Sequence, residues 1–348
     1  MLTIREGLTP KSIDIDCPGA LPVSVTFTSD GKEIMSGERY VNNRSTGGRI
    51  RRCKIQGKNL DAKARVFVDM TDAIDGAIMS KDGQWIMIIM GNRVVVRNTT
   101  TNEGVEVSEH ASGVRAIDVS PNSTRFASGS EDKTVCISSI TTGQRVLGPL
   151  QHNNSVVGVK FSPNGDRLAT AAHGDPVRVW DTRTGNLFLR TNENYLYTPV
   201  GNLTQIPTCT PLGWSSDSQR VLVVAVASTE ITCQCLDASL AVAPYLVPVW
   251  YHSVPSSNDS TPCSLATNGR FIVCSAGGSV SFLDTSSNKI GSIITCQHPI
   301  LSIALSSDDT YLACGRGDKK ITVHALRDIL PLRFLFDVNI QSHHPTWM

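Results

Sequence analysis

The sequence predicts an all-β fold made of seven similar units that together form one domain. A short turn motif of the Ser-Pro-Asn-Gly type occurs seven times, and successive copies lie 40 to 53 residues apart. Apolar runs of strand length flank these turns, as in antiparallel hairpins. Repetition of one such unit over 348 residues indicates a single repeat domain. The positions aligned with the glycine of this motif are Gly31, Gly83, Ser123, Gly165, Ser218, Gly269 and Asp309.

The clearest unit runs from His152 to Gly185. Its three apolar runs are Val156–Phe161, Leu168–Ala172 and Val177–Trp180, and they are separated by a Ser-Pro-Asn-Gly turn and a His-Gly-Asp-Pro turn. Turn residues of this kind between short apolar runs predict a meander of antiparallel strands.

This unit resembles the WD40 repeat. The resemblance rests on His152, on Phe161-Ser162-Pro163-Asn164-Gly165 and on Val177-Arg178-Val179-Trp180-Asp181, which are similar to the Gly-His to Trp-Asp pattern of that family. It spans residues 11–326, is most specific in the third and fourth units, and implies a seven-bladed β-propeller of four-stranded antiparallel blades. The irregular repeats are similar to those of fungal propeller arrays.

The blades are taken in order along the chain. Residues 11–17 alternate like a strand before the first turn, and the resemblance implies that this N-terminal strand completes the last blade and closes the ring. We therefore expect one propeller domain over 1–326 and a C-terminal tail over 327–348, which forms an edge strand or is disordered. The apolar runs after the closing strand are Val23–Phe27 in blade one, Trp85–Ile89 in blade two, Ala116–Val119 in blade three, Cys233–Leu236 in blade five, Phe271–Ser275 in blade six and Ile303–Leu305 in blade seven.

Composition limits the possible functions. The net charge is +1 and charged residues make up 18% of the chain, so a nucleic-acid partner is not expected. No apolar run is long enough for a signal peptide or a membrane span, which favours a cytoplasmic or nuclear protein. The ten cysteines include no C-x-x-C pair, and we expect them to be reduced and buried. We expect no cofactor, no metal and a monomer.

The resemblance also assigns structural roles to several polar residues. Many WD40 blades contain a buried hydrogen-bonded set of His, Ser or Thr, Asp and Trp. Blade three offers three members but has Ser138 in the place of Trp, and the Asp of blade four is one position displaced, in Gly174-Asp175, so neither set is complete. The residues given structural roles are His110, Ser128, Asp132, His152, Thr170, Trp180 and Asp181.

Long spacings between turns predict three long loops, at 38–48, 191–210 and 244–262. The resemblance places all three on the conventional top face, and they contain five of the six tyrosines. Tyr, Trp and Arg are enriched in binding hot spots, so we expect a protein or peptide surface there, although packing of the loops onto the blades explains the aromatic residues equally well. The candidates are Arg39, Tyr40, Arg44, Arg115, Asn154, His173, Tyr195, Tyr197, Tyr245, Trp250, Tyr251, Arg316 and Lys319.

Two further patterns leave alternatives open. The run Arg49, Arg51, Arg52, Lys54 and Lys58 could meet phosphate or an acidic peptide, but a solvated strand face is the favoured interpretation. The segment from Leu168 to Arg183 is similar to the W-D-x-R box of WD-repeat substrate receptors for cullin-RING ubiquitin ligases, although Gly174 stands where that box has Asp. The resemblance makes Arg183 an adaptor-contact candidate.

The sequence contains none of the nucleophile-elbow, P-loop or zinc-protease motifs. We therefore expect a non-catalytic scaffold that binds protein or peptide partners through its top face. The alternatives are a ubiquitin-ligase substrate receptor, an RNA-associated propeller and an enzyme with its site in the central channel.

Overall fold

A computed structural model describes residues 12–40, 47–55, 65–191, 212–226, 231–239, 245–254, 263–268, 270–284, 288–291, 293–331 and 334. These residues form seven four-stranded antiparallel blades, which confirms the predicted all-β propeller. No helix among them is long and apolar enough to span a bilayer.

The strands are numbered along the chain, and each blade runs from an inner to an outer strand. Blade one contains β2 (Ala20–Phe27), β3 (Glu33–Tyr40), β4 (Gly48–Lys54) and β5 (Arg65–Met70). Blade two contains β6 (Gly76–Met79), β7 (Trp85–Met90), β8 (Arg93–Asn98) and β9 (Gly104–Val107). Blade three contains β10 (Val114–Val119), β11 (Arg125–Ser130), β12 (Thr134–Ser139) and β13 (Arg145–Gln151). Blade four contains β14 (Val156–Phe161), β15 (Arg167–Ala172), β16 (Arg178–Asp181) and β17 (Leu187–Thr191).

The second half of the ring follows the same plan. Blade five contains β18 (Leu212–Trp214), β19 (Arg220–Val226), β20 (Ile231–Asp237) and β21 (Tyr245–Val254). Blade six contains β22 (Cys263–Thr267), β23 (Phe271–Ala276), β24 (Ser279–Asp284) and β25 (Ile294–Thr295). Blade seven contains β26 (Ile300–Leu305), β27 (Tyr311–Arg316) and β28 (Lys320–Ala325), and its outer strand is β1 (Ser12–Asp16).

The backbone conformation of the turns supports the seven repeats predicted from the sequence. Of the seven aligned turn positions, six lie among the described residues, and all six have a positive φ, between 55° and 80°. Gly269 lies outside the described residues. Ser123, Ser218 and Asp309 adopt this left-handed conformation although they are not glycine, so the turn geometry is kept where the motif has lost its glycine.

The hydrophobic core is divided among the blade interfaces. Seven clusters of buried apolar side chains each combine residues from two neighbouring blades. In blade two, for example, Met87 and Ile89 pack towards blade three, whereas Ile86 and Ile88 pack towards blade one. Alternate side chains of one strand point to opposite faces of its sheet, so each inner strand contributes to two interfaces.

The N-terminal strand closes the ring as predicted. β1 pairs antiparallel with β28, from Ser12 opposite His324 to Asp16 opposite Lys320, and the Cys17 amide donates to the Lys319 carbonyl at 2.7 Å. The outer edge of blade seven is therefore covered by a strand from the other end of the chain.

The predicted loop at 244–262 is wrong over most of its length, because Tyr245–Val254 forms β21. The outer strand of blade five pairs with β20 from Val247 to Val254, and its first two residues, Tyr245 and Leu246, pair in parallel with β17 of blade four. The long spacing between the turns of blades five and six led the sequence interpretation towards a loop. The register shifts between Cys235 and Leu236, opposite Pro248, and an irregularity of this kind accommodates a proline within a sheet.

The other long-loop predictions also change. The loop predicted at 38–48 is shorter, because β3 includes Arg39 and Tyr40 and β4 begins at Gly48. Thr191, the first residue of the predicted 191–210 loop, ends β17, and residues 192–211 lie outside the described part.

The predicted boundary at residue 326 does not separate the propeller from a tail. Leu326–Asp328 form a short 3-10 helix, and Ile329 and Leu330 are buried in the cluster between blades six and seven. The start of the predicted tail, 327–331, is thus neither an edge strand nor detached from the core.

A buried ionic cluster links blade one to the closing strand. Glu38 is fully buried and accepts hydrogen bonds from Ser36 at 2.8 Å and from Arg49 and Arg51 at 2.8 and 2.5 Å. The other end of the Arg51 guanidinium donates to the Asp16 carbonyl at 2.9 Å. Arg51 therefore bridges the carboxylate of blade one and the main chain of the strand that closes blade seven.

This cluster corrects the interpretation of the basic run as a solvated face. Arg51 is buried, Arg49 is mostly buried against Glu38, and Arg52 forms an ion pair with Glu33. Arg52 and Lys54 remain exposed, at 43% and 67%, so a solvated face describes only these two members, and Lys58 lies outside the described residues. The sequence of β4 is basic by itself, but Glu33 and Glu38 on the neighbouring strand β3 neutralise much of this charge.

Replacing Arg51 with alanine is expected to lower the free energy of unfolding by about 3 kcal/mol, because Glu38 then loses one of its two cations inside the protein. The matched control is Arg52→Ala, in which a half-exposed pair is lost and the cost is expected to stay below about 1 kcal/mol. Urea denaturation of both variants measures the difference, and equal costs would contradict the bridging role of Arg51.

Candidate functional site

The top face is the end of the ring that carries the connections between second and third strands and between successive blades. Near the centre of this face, Asp75 and Arg115 line a central channel of about 500 Å³ formed by the innermost strands of the seven blades. Arg39 pairs with Asp75, and Arg115 pairs with Glu131. We call Arg39, Asp75, Arg115 and Glu131 the top rim.

Blades one and two hold the first half of the top rim. Arg39, at the end of β3, forms an ion pair with Asp75 and donates from Nε to the Ile74 carbonyl at 3.0 Å. Asp75 also accepts a hydrogen bond from the Gly91 amide at 3.0 Å, which fixes its carboxylate against the neighbouring turn. The Arg39 side chain remains 40% exposed, so it is held in place and still accessible.

Blade three supplies the second half. Arg115, near the start of β10, donates from Nε to Glu131 Oε1 at 2.8 Å, and the side chains are 51% and 37% exposed. The Arg115 hydrogen bond holds the pKa of Glu131 below its ordinary value. Glu131 therefore stays ionised under mildly acidic conditions.

Tyr40 lies beside the top rim and is positioned by polar contacts. Its hydroxyl donates to Asp69 at 2.7 Å, and the Arg49 guanidinium stacks over its ring at 5.6 Å. Tyr40 thus covers part of the ionic cluster described above, so its packing role is established by contacts.

The remaining described top-face candidates are spread over blades four and seven. Asn154 is exposed, and its amide lies 3.5 Å from Asp175, whereas His173 is half-buried. Arg316 is mostly buried, contacts Asp14 and Asp318 and donates to Thr322 at 2.9 Å, so it anchors the closing strand. Lys319 occupies the adjoining turn with φ at 66°.

Several candidates cannot be placed on this surface. Arg44, Tyr195 and Tyr197 lie outside the described residues. Tyr245, Trp250 and Tyr251 belong to β21 and not to a loop, which corrects their predicted position.

The predicted network of blade three is present. His110 Nδ1 lies 3.0 Å from Asp132 and Nε2 lies 2.9 Å from Ser128 Oγ. Burial alone would raise the pKa of Asp132, but hydrogen bonds from Thr134, from the Ala111 amide and from His110 lower it below its ordinary value. The hydrogen-bonded series of Ser128, His110 and Asp132 resembles a Ser-His-Asp triad. Ser128 is only 2% exposed in the middle of β11, so no substrate carbonyl can reach its hydroxyl.

Blade four contains a fuller network than the sequence predicted. Thr170 Oγ1 lies 2.8 Å from His152 Nε2 and accepts a hydrogen bond from Trp180 Nε1 at 2.8 Å. Asp175 was judged one position displaced, but its carboxylate is 3.5 Å from His152 Nδ1 and accepts from the Asn153 amide at 2.6 Å. The contact with His152 is not aligned as a hydrogen bond. The two hairpins have the same length, since Ser128 pairs with Cys136 and Thr170 with Arg178, so the Asp of blade four approaches its histidine from one position later in the turn.

Asp181 has the predicted structural role. Its carboxylate accepts hydrogen bonds from the amides of Arg183 and Thr184, at 3.0 and 2.7 Å, and those from Thr184 lower its pKa. Asp217 and Asp308 stabilise the turns between the first and second strands of blades five and seven through hydrogen bonds from nearby amides. No group of three or more His, Cys, Asp or Glu side chains in the described part of the chain is arranged to hold a metal ion.

The comparison with protein families agrees with this arrangement. The family described as "WD domain, G-beta repeat" matches residues 103–137, 144–181 and 289–324. Each matched segment ends in the third strand of blade three, four or seven, after beginning in or near the outer strand of the blade before it. The chain is a WD40-repeat β-propeller. The sequence repeat of this WD40 protein is offset from its blades by one strand, so each repeat ties two blades together.

Relatives of this WD40 protein match over part of their length. The guanine nucleotide-binding protein subunit beta of Zea mays is 29% identical over 155 residues, 42% of this chain and 39% of the relative. The transcriptional corepressor LEUNIG_HOMOLOG of Arabidopsis thaliana is 32% identical over 119 residues, 34% of this chain and 15% of the relative. The pre-rRNA-processing protein crb3/ipi3 of Schizosaccharomyces pombe is 26% identical over 177 residues, 49% of this chain and 34% of the relative. The chain spans less than half of the length of these relatives.

The opposite, bottom face of this WD40 propeller has a groove of about 700 Å³ between blades three and four. Arg183 is exposed and lines it, together with Arg125, Arg167 and Phe188. The Arg167 guanidinium stacks over Phe188 at 4.2 Å, and Arg125 donates to the Thr182 carbonyl at 3.2 Å. The adaptor-contact candidate thus lies in a concave surface with two other arginines.

The sequence interpretation missed the acidic half of the top rim. Asp75 was not singled out because it precedes β6 in a short connection without a motif, and Glu131 stands beside the structural Asp132.

Thr170→Val is expected to lower the free energy of unfolding by about 1–3 kcal/mol, because the buried Trp180 N–H and His152 ring lose their shared partner. Ser138→Ala is the matched control in blade three, since the buried Ser138 hydroxyl has no partner among the described residues, and it is expected to be neutral. Chemical denaturation compares the two, and a neutral Thr170→Val would show that the network does not stabilise blade four.

Acid is expected to destabilise the propeller through two buried histidines. Burial is the main cause that lowers the pKa of His152 and of His324 from 6.5 to about 4. The unfolded chain therefore binds more protons than the folded one between these values, so the free energy of unfolding is highest above pH 6.5 and falls as pH drops towards 4.

The same analysis predicts the effect of removing one of these groups. Neither ring nitrogen of His324 has a partner among the described residues, so His324→Leu removes a titrating group without breaking a bond there. Denaturation at several pH values between 4.5 and 7 is expected to show a shallower pH dependence in this variant. An unchanged slope would exclude His324 as a source of the acid sensitivity.

Proposed function

We propose that this WD40 protein is a non-catalytic scaffold that binds a protein or peptide partner at the top rim. The observation that carries the proposal is the alternation of Arg39, Asp75, Arg115 and Glu131 beside the channel, each held by a partner yet partly exposed. Charged side chains that are already held in ion pairs lose little conformational entropy when a charged group of the partner replaces one member of a pair.

The relatives support a role in assemblies. One is by name a subunit of a guanine nucleotide-binding protein, and another is a transcriptional corepressor. Arginine and tyrosine are also enriched among residues that dominate binding energy, and the top rim has two arginines with Tyr40 beside them. A location in the cytoplasm or nucleus, and a monomeric state before partner binding, belong to the same proposal.

A second candidate function rests on the bottom groove. Arg183 is exposed there and its guanidinium has no partner among the described residues, which fits an adaptor contact of a cullin-RING substrate receptor. The RNA-associated alternative has a relative named for pre-rRNA processing, but its basic run is paired with Glu33 and Glu38. That run offers little free positive charge for phosphates.

Two variants separate the top rim from the bottom groove. Affinity purification with mass spectrometry is carried out on the wild type, on Arg115→Ala and on Arg183→Ala, once equal melting temperatures are established. We expect a partner to be lost with Arg115→Ala and kept with Arg183→Ala. With that partner purified, the Kd is expected to rise about tenfold in Arg115→Ala.

The reverse pattern, with a cullin adaptor lost only in Arg183→Ala, would favour the substrate-receptor function. A partner profile that neither substitution changes would overturn both assignments.

A further inference from the structure

The bottom end of the central channel forms a second, smaller cavity. It has a volume of about 200 Å³ and lies among the inner strands and turns of blades two to six. The buried side chains of Val119, Phe161 and Trp214 form its apolar walls, and Lys81, Asp118 and Lys160 are its charged groups. We call this cavity the lower mouth.

Asp118 in the lower mouth is fully engaged by the protein. Its carboxylate accepts a hydrogen bond from Lys160 Nζ at 2.6 Å and another from the Phe161 amide at 2.8 Å. Trp214 Nε1 donates to the Lys160 carbonyl at 3.0 Å, which fixes the main chain that carries this lysine. Asp118 and Lys160 therefore form a preorganised pair inside the channel.

Lys81 is the charge that this pair does not neutralise. Its ammonium group makes no hydrogen bond or ion pair with any residue that the structure describes, although it lines the same cavity. Much of its side chain contacts solvent, yet its position in a concavity makes desolvation the main cause of its lowered pKa. The charge of Lys160 lowers that pKa further.

We propose that the lower mouth binds the carboxylate group of a small organic acid, with Lys81 and Lys160 as its cationic ligands. Two ammonium groups and one carboxylate leave one positive charge, which matches a singly charged anion. Each ammonium has three donors, and only one of the six is used by Asp118, so five N–H groups are available to two carboxylate oxygens.

The apolar walls favour a carboxylate over inorganic phosphate. A phosphate dianion would bring a second negative charge close to Asp118 and would exceed the single net positive charge of Lys81, Lys160 and Asp118, and unpaired charge beside apolar walls is unfavourable. A monocarboxylate with a short apolar body places its charge at the lysines and its carbon chain against Val119, Phe161 and Trp214. The carboxylate can come from a free acid or from the carboxyl terminus of a peptide.

Isothermal titration calorimetry with propionate tests the proposal, and propionamide serves as its neutral isostere. We expect propionate to bind the wild type and to bind at least tenfold more weakly to Lys81→Met, with no detectable binding of propionamide. Lys32→Met is the matched control, because Lys32 is an exposed lysine on the equivalent turn of blade one, away from the lower mouth.

A second measurement reports on the site directly. With ¹³C-methylated lysines, NMR titration is expected to show that propionate raises the pKa of Lys81, because the bound anion stabilises the ammonium form. The tripeptide Ala-Ala-Val and its carboxyl-terminal amide distinguish the two sources. Binding of the free-acid tripeptide indicates a peptide terminus, and binding of propionate alone indicates a free acid.

Three results would overturn the inference. These are equal propionate affinity in the wild type, Lys81→Met and Lys32→Met, absence of propionate binding, and binding of inorganic phosphate in preference to propionate. None of them bears on the top rim, which lies at the other end of the channel.

Discussion

Each blade of the propeller buries both faces only against its neighbours, so the structure depends on closure of the ring. The seven hydrophobic clusters each span two blades, and the cluster between blades seven and one includes Ile15 and Cys17 of the closing segment. An open ring would expose two apolar faces and one unpaired strand edge, which is an aggregation hazard. Pairing of β1 with β28 removes that edge and joins the first described strand of the chain to its last.

Polar groups inside the ring reinforce closure where apolar packing cannot specify geometry. Glu38 with Arg49 and Arg51 connects blade one to the main chain at Asp16, and Arg316 connects blade seven to Asp14. A buried carboxylate is tolerated there because its charge is paired and its oxygens are hydrogen-bonded. The hydrogen-bond networks of His110 and His152 lie within single blades. They therefore stabilise individual blades, whereas the ionic links stabilise the closure of the ring.

The two ends of the channel differ in charge. At the top rim, each arginine faces a carboxylate, and the pairs are open to solvent. At the lower mouth, Lys81 adds a cation to an already neutral pair among apolar walls. A surface of balanced, exposed charges suits a macromolecular partner with its own alternating charges, whereas a small cavity with one excess cation suits a small anion.

The sequence by itself determined the number of blades and the position of their turns, because these follow from local chemistry, whereas the closing role of the N-terminal strand was implied by the family resemblance. Turn residues with positive φ and strands with alternating apolar residues need no knowledge of distant contacts. Local reasoning was wrong for Tyr245–Val254, where the long spacing between turns indicated a loop but pairing with β20 imposes a strand. It was also wrong for Arg51, whose partner Glu38 lies on the neighbouring strand.

Only the tertiary structure decided which charges meet. Asp75 and Arg115 reach one channel from blades two and three, and Lys81, Asp118 and Lys160 converge from blades two, three and four. These residues are separated by about 40 positions in the sequence, and each looks ordinary in its own repeat. The closed ring brings equivalent positions of successive repeats to the same depth around one axis. Each site is therefore formed by residues from several repeats, and no single repeat contains a complete site.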